Sequence, residues 1–180
     1  MTDAGFTPFE TDLGWCALAW SPLGITAVHW PTRDRDTARA RMARRHPDLV
    51  ETEPPPAVVE AIEGVRALLR GERPDLAFVA VDLARASDFE RQVYAVTRAI
   101  PPGQTLTYGE VAVRLGDKLL ARDVGQALGH NPVPIIVPCH RVLAAGGKSG
   151  GFSAPGGVET KLKVLALEGV FPGGQPSLFG

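Results

Sequence analysis

Pro132, Pro134 and Pro138 leave the backbone few conformations to choose from in the run Asn131-Pro132-Val133-Pro134-Ile135-Ile136-Val137-Pro138-Cys139-His140-Arg141-Val142. Each proline fixes its own φ and drives the residue before it into extended backbone. The segment is therefore a stiff arm that carries an apolar stretch up to a thiol and an imidazole. A free cysteine is ordinarily a small buried hydrophobe, inert and in no need of such a support. A constrained approach that ends on Cys139 and His140 points instead to a built site.

The remaining composition narrows the class. At 180 residues the chain can bury a core as one domain or two small ones. No apolar run is long enough to cross a bilayer, so no membrane partner is expected. The start, Met1-Thr2-Asp3-Ala4-Gly5, lacks the pattern of an export signal, which leaves a reducing, cytoplasmic location as the expectation. Two cysteines, Cys16 and Cys139, set no disulfide framework, and no paired C-x-x-C spacing suggests a metal. From Ser87 onward nine Lys/Arg stand against seven Asp/Glu (+2). The earlier part has ten against thirteen (−3), so any nucleic-acid contact must come from local geometry rather than bulk charge.

The first part reads as strands followed by helices. Phe6–Glu10, Trp15–Trp20 and Ile25–Trp30 are short and rich in β-branched and aromatic residues, with a turn at Ser21-Pro22-Leu23-Gly24. Arg33–Arg45 has helical propensity and six arginines, which suit a solvated helix face better than a phosphate site. Val58, Ile62, Val65 and Leu69 mark an amphipathic helix ended by Gly71, and Leu76–Leu83 is expected to return as a strand. Ser87 and Glu90 form a capping box for a helix whose buried stripe is Phe89, Val93, Val96 and Ile100, stopped by Pro101-Pro102-Gly103. Thr107–Leu115 and Leu119–Leu128 are two short helices across Gly116-Asp117-Lys118. They read either as a helix-turn-helix, with Arg122 near the start of the second helix, or as an αα-hairpin packed as core. A glycine-rich loop follows, then a helix over Val158–Glu168 closed by Gly169, then a proline- and glycine-rich tail expected to lack structure.

A thiol is only a few per cent thiolate at neutral pH, and a base beside it raises that fraction. Chain neighbours on a strand point to opposite faces, so the turn at Pro138 must bring sulfur and imidazole together. A carboxylate is needed to orient the imidazole. Glu168, near the end of a helix apolar at Leu162, Leu165 and Leu167, is the candidate. Gly147-Lys148-Ser149 fails as a phosphate loop because Val142 stands where the first glycine belongs. Gly151-Phe152-Ser153-Ala154-Pro155 fails as a hydrolase elbow because it ends on proline. Cys16 with His29 is better explained by core packing than by a metal.

In order and spacing, residues 87–169 resemble the O6-alkylguanine-DNA alkyltransferase (methylated-DNA–protein-cysteine methyltransferase) family. The resemblance rests on Ile100-Pro101-Pro102-Gly103, Thr107-Tyr108 and Ala121-Arg122-Asp123-Val124-Gly125. It continues through Asn131 to Val142, Gly151-Phe152-Ser153 and Leu165-Ala166-Leu167-Glu168-Gly169. It implies an α+β chain. A small strand-rich N-terminal domain with an antiparallel sheet (1–86) precedes a mainly helical DNA-binding and alkyl-acceptor domain with a helix-turn-helix (87–170) and a flexible tail (171–180). It implies a single-use reagent on double-stranded DNA containing alkylated guanine, with no cofactor; a monomer is the default expectation.

The resemblance assigns roles residue by residue. Cys139 would take the alkyl group from the guanine oxygen, His140 would act through a water as its base, and Glu168 would orient His140. Asn131 would tie the helix pair to the active-site segment, and Tyr108 would protonate or hydrogen-bond the departing guanine. Arg122 would fill the space of the extruded nucleotide, while backbone groups of Cys139, Val142 and Ser153 would read the base edge. Phe152 departs from the tyrosine common in the family: its ring can stack on the base, but without a hydroxyl.

Two rivals differ in what they predict. A cysteine hydrolase on Cys139-His140-Glu168 would turn over through an acyl intermediate, and a non-reacting lesion flag would lack the cysteine. Separately, Gln175, Ser177, Leu178 and Phe179 are similar to the short peptides that dock on the bacterial sliding clamp.

Overall fold

The computed structural model of the chain describes residues 3–150, 152 and 156–173. These fall into two compact units, residues 1–85 with 132–136 and residues 86–131 with 137–180. Ser153 and the residues from 174 on, the clamp-like segment included, lie outside the described residues.

In the first unit β1 (Gly5–Thr11), β2 (Gly14–Ser21) and β3 (Gly24–Thr32) form an antiparallel sheet in that order, with the expected turn at residues 21–24. Paired residues share a face, so the register Phe6↔Ala19 and Ala19↔Ala27 puts Phe6, Ala17, Ala19 and Ala27 on one side. Three alanines there make a shallow surface. Helix α1 (Arg35–Arg45) lays Ala38 and Met42 on it, with all six residues buried together. Asp34 caps α1 by accepting from the Thr37 amide at 2.7 Å. The expected solvated arginines are there: Arg35 and Arg39 both pair with Glu51 at the surface. Helix α2 (Pro56–Leu69) buries Val58, Ile62, Val65 and Leu69 as their spacing requires, and Arg66 places its guanidinium 5.8 Å from the Phe9 ring centre.

One expectation changes in this unit. Residues 76–83 form no strand: Asp75 caps a 3-10 turn over Leu76–Phe78, and only Val81 bridges Ile25. Asp75 accepts from the Ala77 amide, which bends the chain before an extended run can pair. Cys16 and His29 point to opposite faces of the sheet, because His29 pairs with Ala17.

The second unit is mainly helical. Helix α3 (Asp88–Arg98) starts where Ser87 Oγ accepts from the Glu90 amide at 3.1 Å. Its buried line is Val93, Tyr94, Thr97 and then Ile100, whereas Phe89 and Val96 are half-buried. Tyr94 is inside because its hydroxyl reaches the Ala127 carbonyl at 2.7 Å, a partner no apolar residue count reveals. Strand β4 (Leu106–Thr107) leads directly into α4 (Tyr108–Arg114), capped by Thr107. Lys118–Leu120 is a 3-10 turn, so the next helix, α5, is shorter at its start than expected (Ala121–Gly129). Strand β5 (Val142–Leu143) pairs in parallel with β4, and α6 (Val158–Leu167) ends at Gly169 with φ 78°. Together the small antiparallel sheet and the helices make the expected α+β chain. Among the described residues no helix is long and apolar enough to cross a membrane.

Replacing Tyr94 with Phe removes its buried hydrogen bond and leaves the Ala127 carbonyl with the His130 amide at 3.2 Å. The expected loss is about 0.5–1.5 kcal/mol, read as a lower denaturation midpoint at unchanged slope.

Candidate active site

The proline arm holds one residue in a conformation rare for its type. Ile135, β-branched and buried, sits at φ 74°, a strain on the order of 1–3 kcal/mol. It belongs to the first unit, where the Val28 amide donates to the Pro132 carbonyl at 2.9 Å. From Val137 the chain is in the second unit, and Asn131 Nδ2 donates to the Val137 carbonyl at 2.9 Å. Asn131 thus ties the end of α5 to the residues just ahead of the thiol. Pro138 then starts a 3-10 turn, Cys139–Arg141, and all three of its side chains are buried.

That turn resolves the strand problem, since a tight turn does not send Cys139 and His140 to opposite faces. His140 Nε2 lies 2.9 Å from Glu168 Oε1, with both side chains fully buried. Glu168 is the C-terminal cap residue of α6. Arg141 grips the same carboxylate: Nε donates to Oε1 and Oε2 at 3.1 and 3.0 Å, and Nη2 to Oε1 at 2.7 Å. Its Nη1 donates to the Ile100 carbonyl at 2.7 Å. Burial alone would raise the Glu168 carboxyl, but the hydrogen bonds and charges of His140 and Arg141 outweigh it and hold the group at about 2. Burial lowers the His140 imidazole below its usual range despite Glu168, so the ring is neutral at pH 7. A neutral ring that donates from Nε2 to a carboxylate keeps its basic lone pair on Nδ1.

Burial also raises the Cys139 thiol. A hydrogen bond from Asn131, the charge of Lys161 and nearby backbone amides oppose that rise. Lys161 is the residue sequence reasoning missed. It is fully buried, its Nζ donates to the Val142 carbonyl at 2.6 Å, and burial lowers it to about 8. The ammonium stands 5.9 Å from the Tyr108 ring centre and 5.6 Å from that of Phe152. The pattern was there to find: Lys161, Val164, Leu165 and Glu168 recur at helical spacing and form the buried line of α6. Leu162, expected inside, is 37% exposed and Leu167 is half-buried. Arg141 offered no such signal, because its partner lies 27 residues away.

The β4–β5 pairing sets Thr107 beside Leu143 and so brings Tyr108 next to the end of the Cys-His turn. Burial, and then the Cys139 charge, raise its phenol, which stays protonated at neutral pH. Gly150, at φ 72°, leaves room for it: a Cβ there would stand 3.2 Å from the Tyr108 hydroxyl. Val142 is buried and presents its carbonyl to Lys161. Arg122 is exposed in the first turn of α5. Cys139, His140, Glu168, Asn131, Tyr108, Val142 and Phe152 therefore gather around one site with Lys161 and Arg141, and Arg122 stands at the helix surface.

A family model described as the DNA binding domain of 6-O-methylguanine DNA methyltransferase matches residues 88–170. The methylated-DNA–protein-cysteine methyltransferase of Mycolicibacterium paratuberculosis is 44% identical over 117 residues, 65% of this chain and 68% of that protein. The chain belongs to the methylated-DNA–protein-cysteine methyltransferase family. The relative from Methanothermobacter thermautotrophicus is 38% identical over 125 residues, 69% of each chain. Among solved structures, Mycobacterium tuberculosis OGT in complex with DNA matches with a TM-score of 0.72 at 33% identity, covering 91% of this chain and 92% of that one. The Pyrococcus kodakaraensis O6-methylguanine-DNA methyltransferase gives 0.69 at 27% identity, covering 93% and 99%. Both structural matches span the sheet unit as well as the helical one.

Glu168→Gln removes the charge that Arg141 and His140 share. The expected cost is about 3–5 kcal/mol, because a buried guanidinium is left uncompensated. In the parent protein the Glu168 contribution is complete above the ordinary carboxyl value of 4.5 and is lost as pH falls toward about 2. Urea melts of parent and variant across that window should therefore converge at the acid end.

Proposed function

We propose that this chain repairs DNA by moving a methyl or other alkyl group from O6-alkylguanine to its own Cys139, once per molecule. The observation that carries the reading is a buried cysteine held one residue before the His140–Glu168 pair, in a chain of this family. His140, neutral and basic at Nδ1, takes the Cys139 proton through a water. The sulfur attacks the alkyl carbon, the carbon–oxygen bond breaks, and a thioether forms. Guanine leaves with the bonding electrons and receives a proton, for which the Tyr108 phenol is the donor or relay; a neutral purine is the better leaving group. Lys161, buried beside Cys139, limits the cost of the transient thiolate. A thioether has no easy route back to a thiol, so the protein is consumed.

Chemistry on a base inside a duplex requires that the base be flipped out, at roughly a few kcal/mol. We assign this to residues 87–170, with α4 and α5 as a helix-turn-helix and Arg122 filling the vacated space. Val142 and Ser153 would read the base edge through their backbone, and Phe152 would stack on it. The protein would act as a monomer in the cytoplasm, on double-stranded DNA.

Intact mass after incubation with an O6-methylguanine duplex tests the reading. One methyl per protein, located on the Cys139 peptide, is expected, with repair ending at one equivalent. Multiple turnovers, or lesion removal by Cys139→Ser, would refute it. The sliding-clamp contact through Gln175, Ser177, Leu178 and Phe179 is a separate proposal. Truncation after Gly174 should abolish measurable binding to a bacterial clamp and leave alkyl transfer unchanged; equal clamp affinity with and without the tail removes the idea.

A further inference from the structure

Helix α1 divides four of its five arginines between two sides. At 3.6 residues per turn, Arg35 and Arg39 flank the buried Ala38–Met42 line on one side, and Arg41 and Arg45 flank it on the other. Glu51 answers both guanidiniums on the first side. The second side faces His29, which shares the sheet face of Ala17 and Ala27, and His46, the C-terminal cap of α1. The two imidazole rings are 6.1 Å apart, centre to centre. Arg85 also acts on His46, and Asp48 is the acid that does so. Among the described residues no ion pair joins Arg41, Arg45 or Arg85 to a carboxylate.

The positive field is felt inside the cluster. His29 is lowered to about 4, by burial first and then by Arg45, His46 and Arg41. Arginines at a helix C-terminus gain from the helix dipole. That accounts for a basic last turn, but not for two histidines gathered against it with so little acid. The sequence through residue 86 carries a net −3, so this concentration of cations runs against its surroundings.

We propose that His29, Arg41, Arg45, His46 and Arg85 form a phosphate-binding surface on the sheet unit for the backbone of duplex DNA. The inference rests on the reading that this protein works on DNA. Guanidinium forks match phosphate oxygens two at a time. Contacts to phosphate position a protein without reading sequence, as a search for lesions at any site requires.

The test uses the full chain and an undamaged synthetic duplex, with affinity followed by fluorescence anisotropy across a salt series. The double variant Arg41→Gln, Arg45→Gln is compared with Arg35→Gln, Arg39→Gln, which removes the same charge from the side that Glu51 serves. Each lost phosphate contact should lower the log–log salt slope by about 0.9, so the first variant falls by about 2 and the control by less than half of that. Binding at low salt should weaken by roughly tenfold in the first variant. Both should still alkylate Cys139 from a free O6-alkylguanine base at the parent rate, which shows them folded. Equal slopes in the two variants, or a first variant with the parent slope, would overturn the proposal. Failure of the parent itself to accept an alkyl group would instead defeat the functional reading and leave the DNA comparison intact.

Discussion

The Glu168 carboxylate, buried between the His140 ring and the Arg141 guanidinium, is the contact on which the second unit depends. An ionised carboxylate inside a protein is costly unless it is paired and hydrogen-bonded. Here Arg141 occupies both oxygens and extends to the Ile100 carbonyl at the end of the α3 segment. One side chain thereby links the Cys-His turn, α6 and the region after α3. Arg141 also frees the carboxylate from depending on His140 for its charge balance. The imidazole can remain neutral, and in the proposed reaction Glu168 sets its tautomer rather than taking its proton.

That division matters for reactivity. A thiolate–imidazolium pair would form readily if His140 were charged at rest, but burial keeps it neutral. Cys139 is likewise raised by burial, so the resting site is a thiol beside a neutral base. Charge separates only when the proton moves. Lys161 then matters most, since its ammonium is already in place on the Val142 carbonyl, with the Tyr108 and Phe152 rings nearby. A fixed, buried cation stabilises a developing anion with little reorganisation of its surroundings. Phe152, lacking a hydroxyl, gives Lys161 only a ring face on that side.

Periodicity and turn chemistry made most of the elements legible, because they are local. Three strands, the cap at Ser87 and the Val58–Leu69 stripe follow from spacing and short-range hydrogen bonds. Residues 76–83 misled because a capping aspartate outcompeted strand propensity. Tyr94 and Thr97 were missed on α3 because their burial depends on hydroxyls finding carbonyls, one of them 33 residues distant. At the site, the residues themselves singled out Cys139, His140 and Glu168, the resemblance gave them roles, and proline spacing explained the stiff approach. The strain at Ile135 could not be read, since no glycine advertises a positive φ there. Lys161 was readable in principle, but a lysine on an apolar stripe is easily taken for a surface residue.

The two cysteines make the physical lesson sharper. Both are buried, and neither is paired in a disulfide. Cys16, on a strand in the sheet unit, has only a Thr11 hydrogen bond to set against burial, and its thiol is pushed up to about 12. Cys139 is raised by burial too, yet it has an amide from Asn131, a fixed ammonium and the amides of a tight turn to offset part of that cost. Burial therefore does not separate a reactive cysteine from an inert one. What separates them is whether the surrounding dipoles and charges are already arranged for the anion that one of them must become.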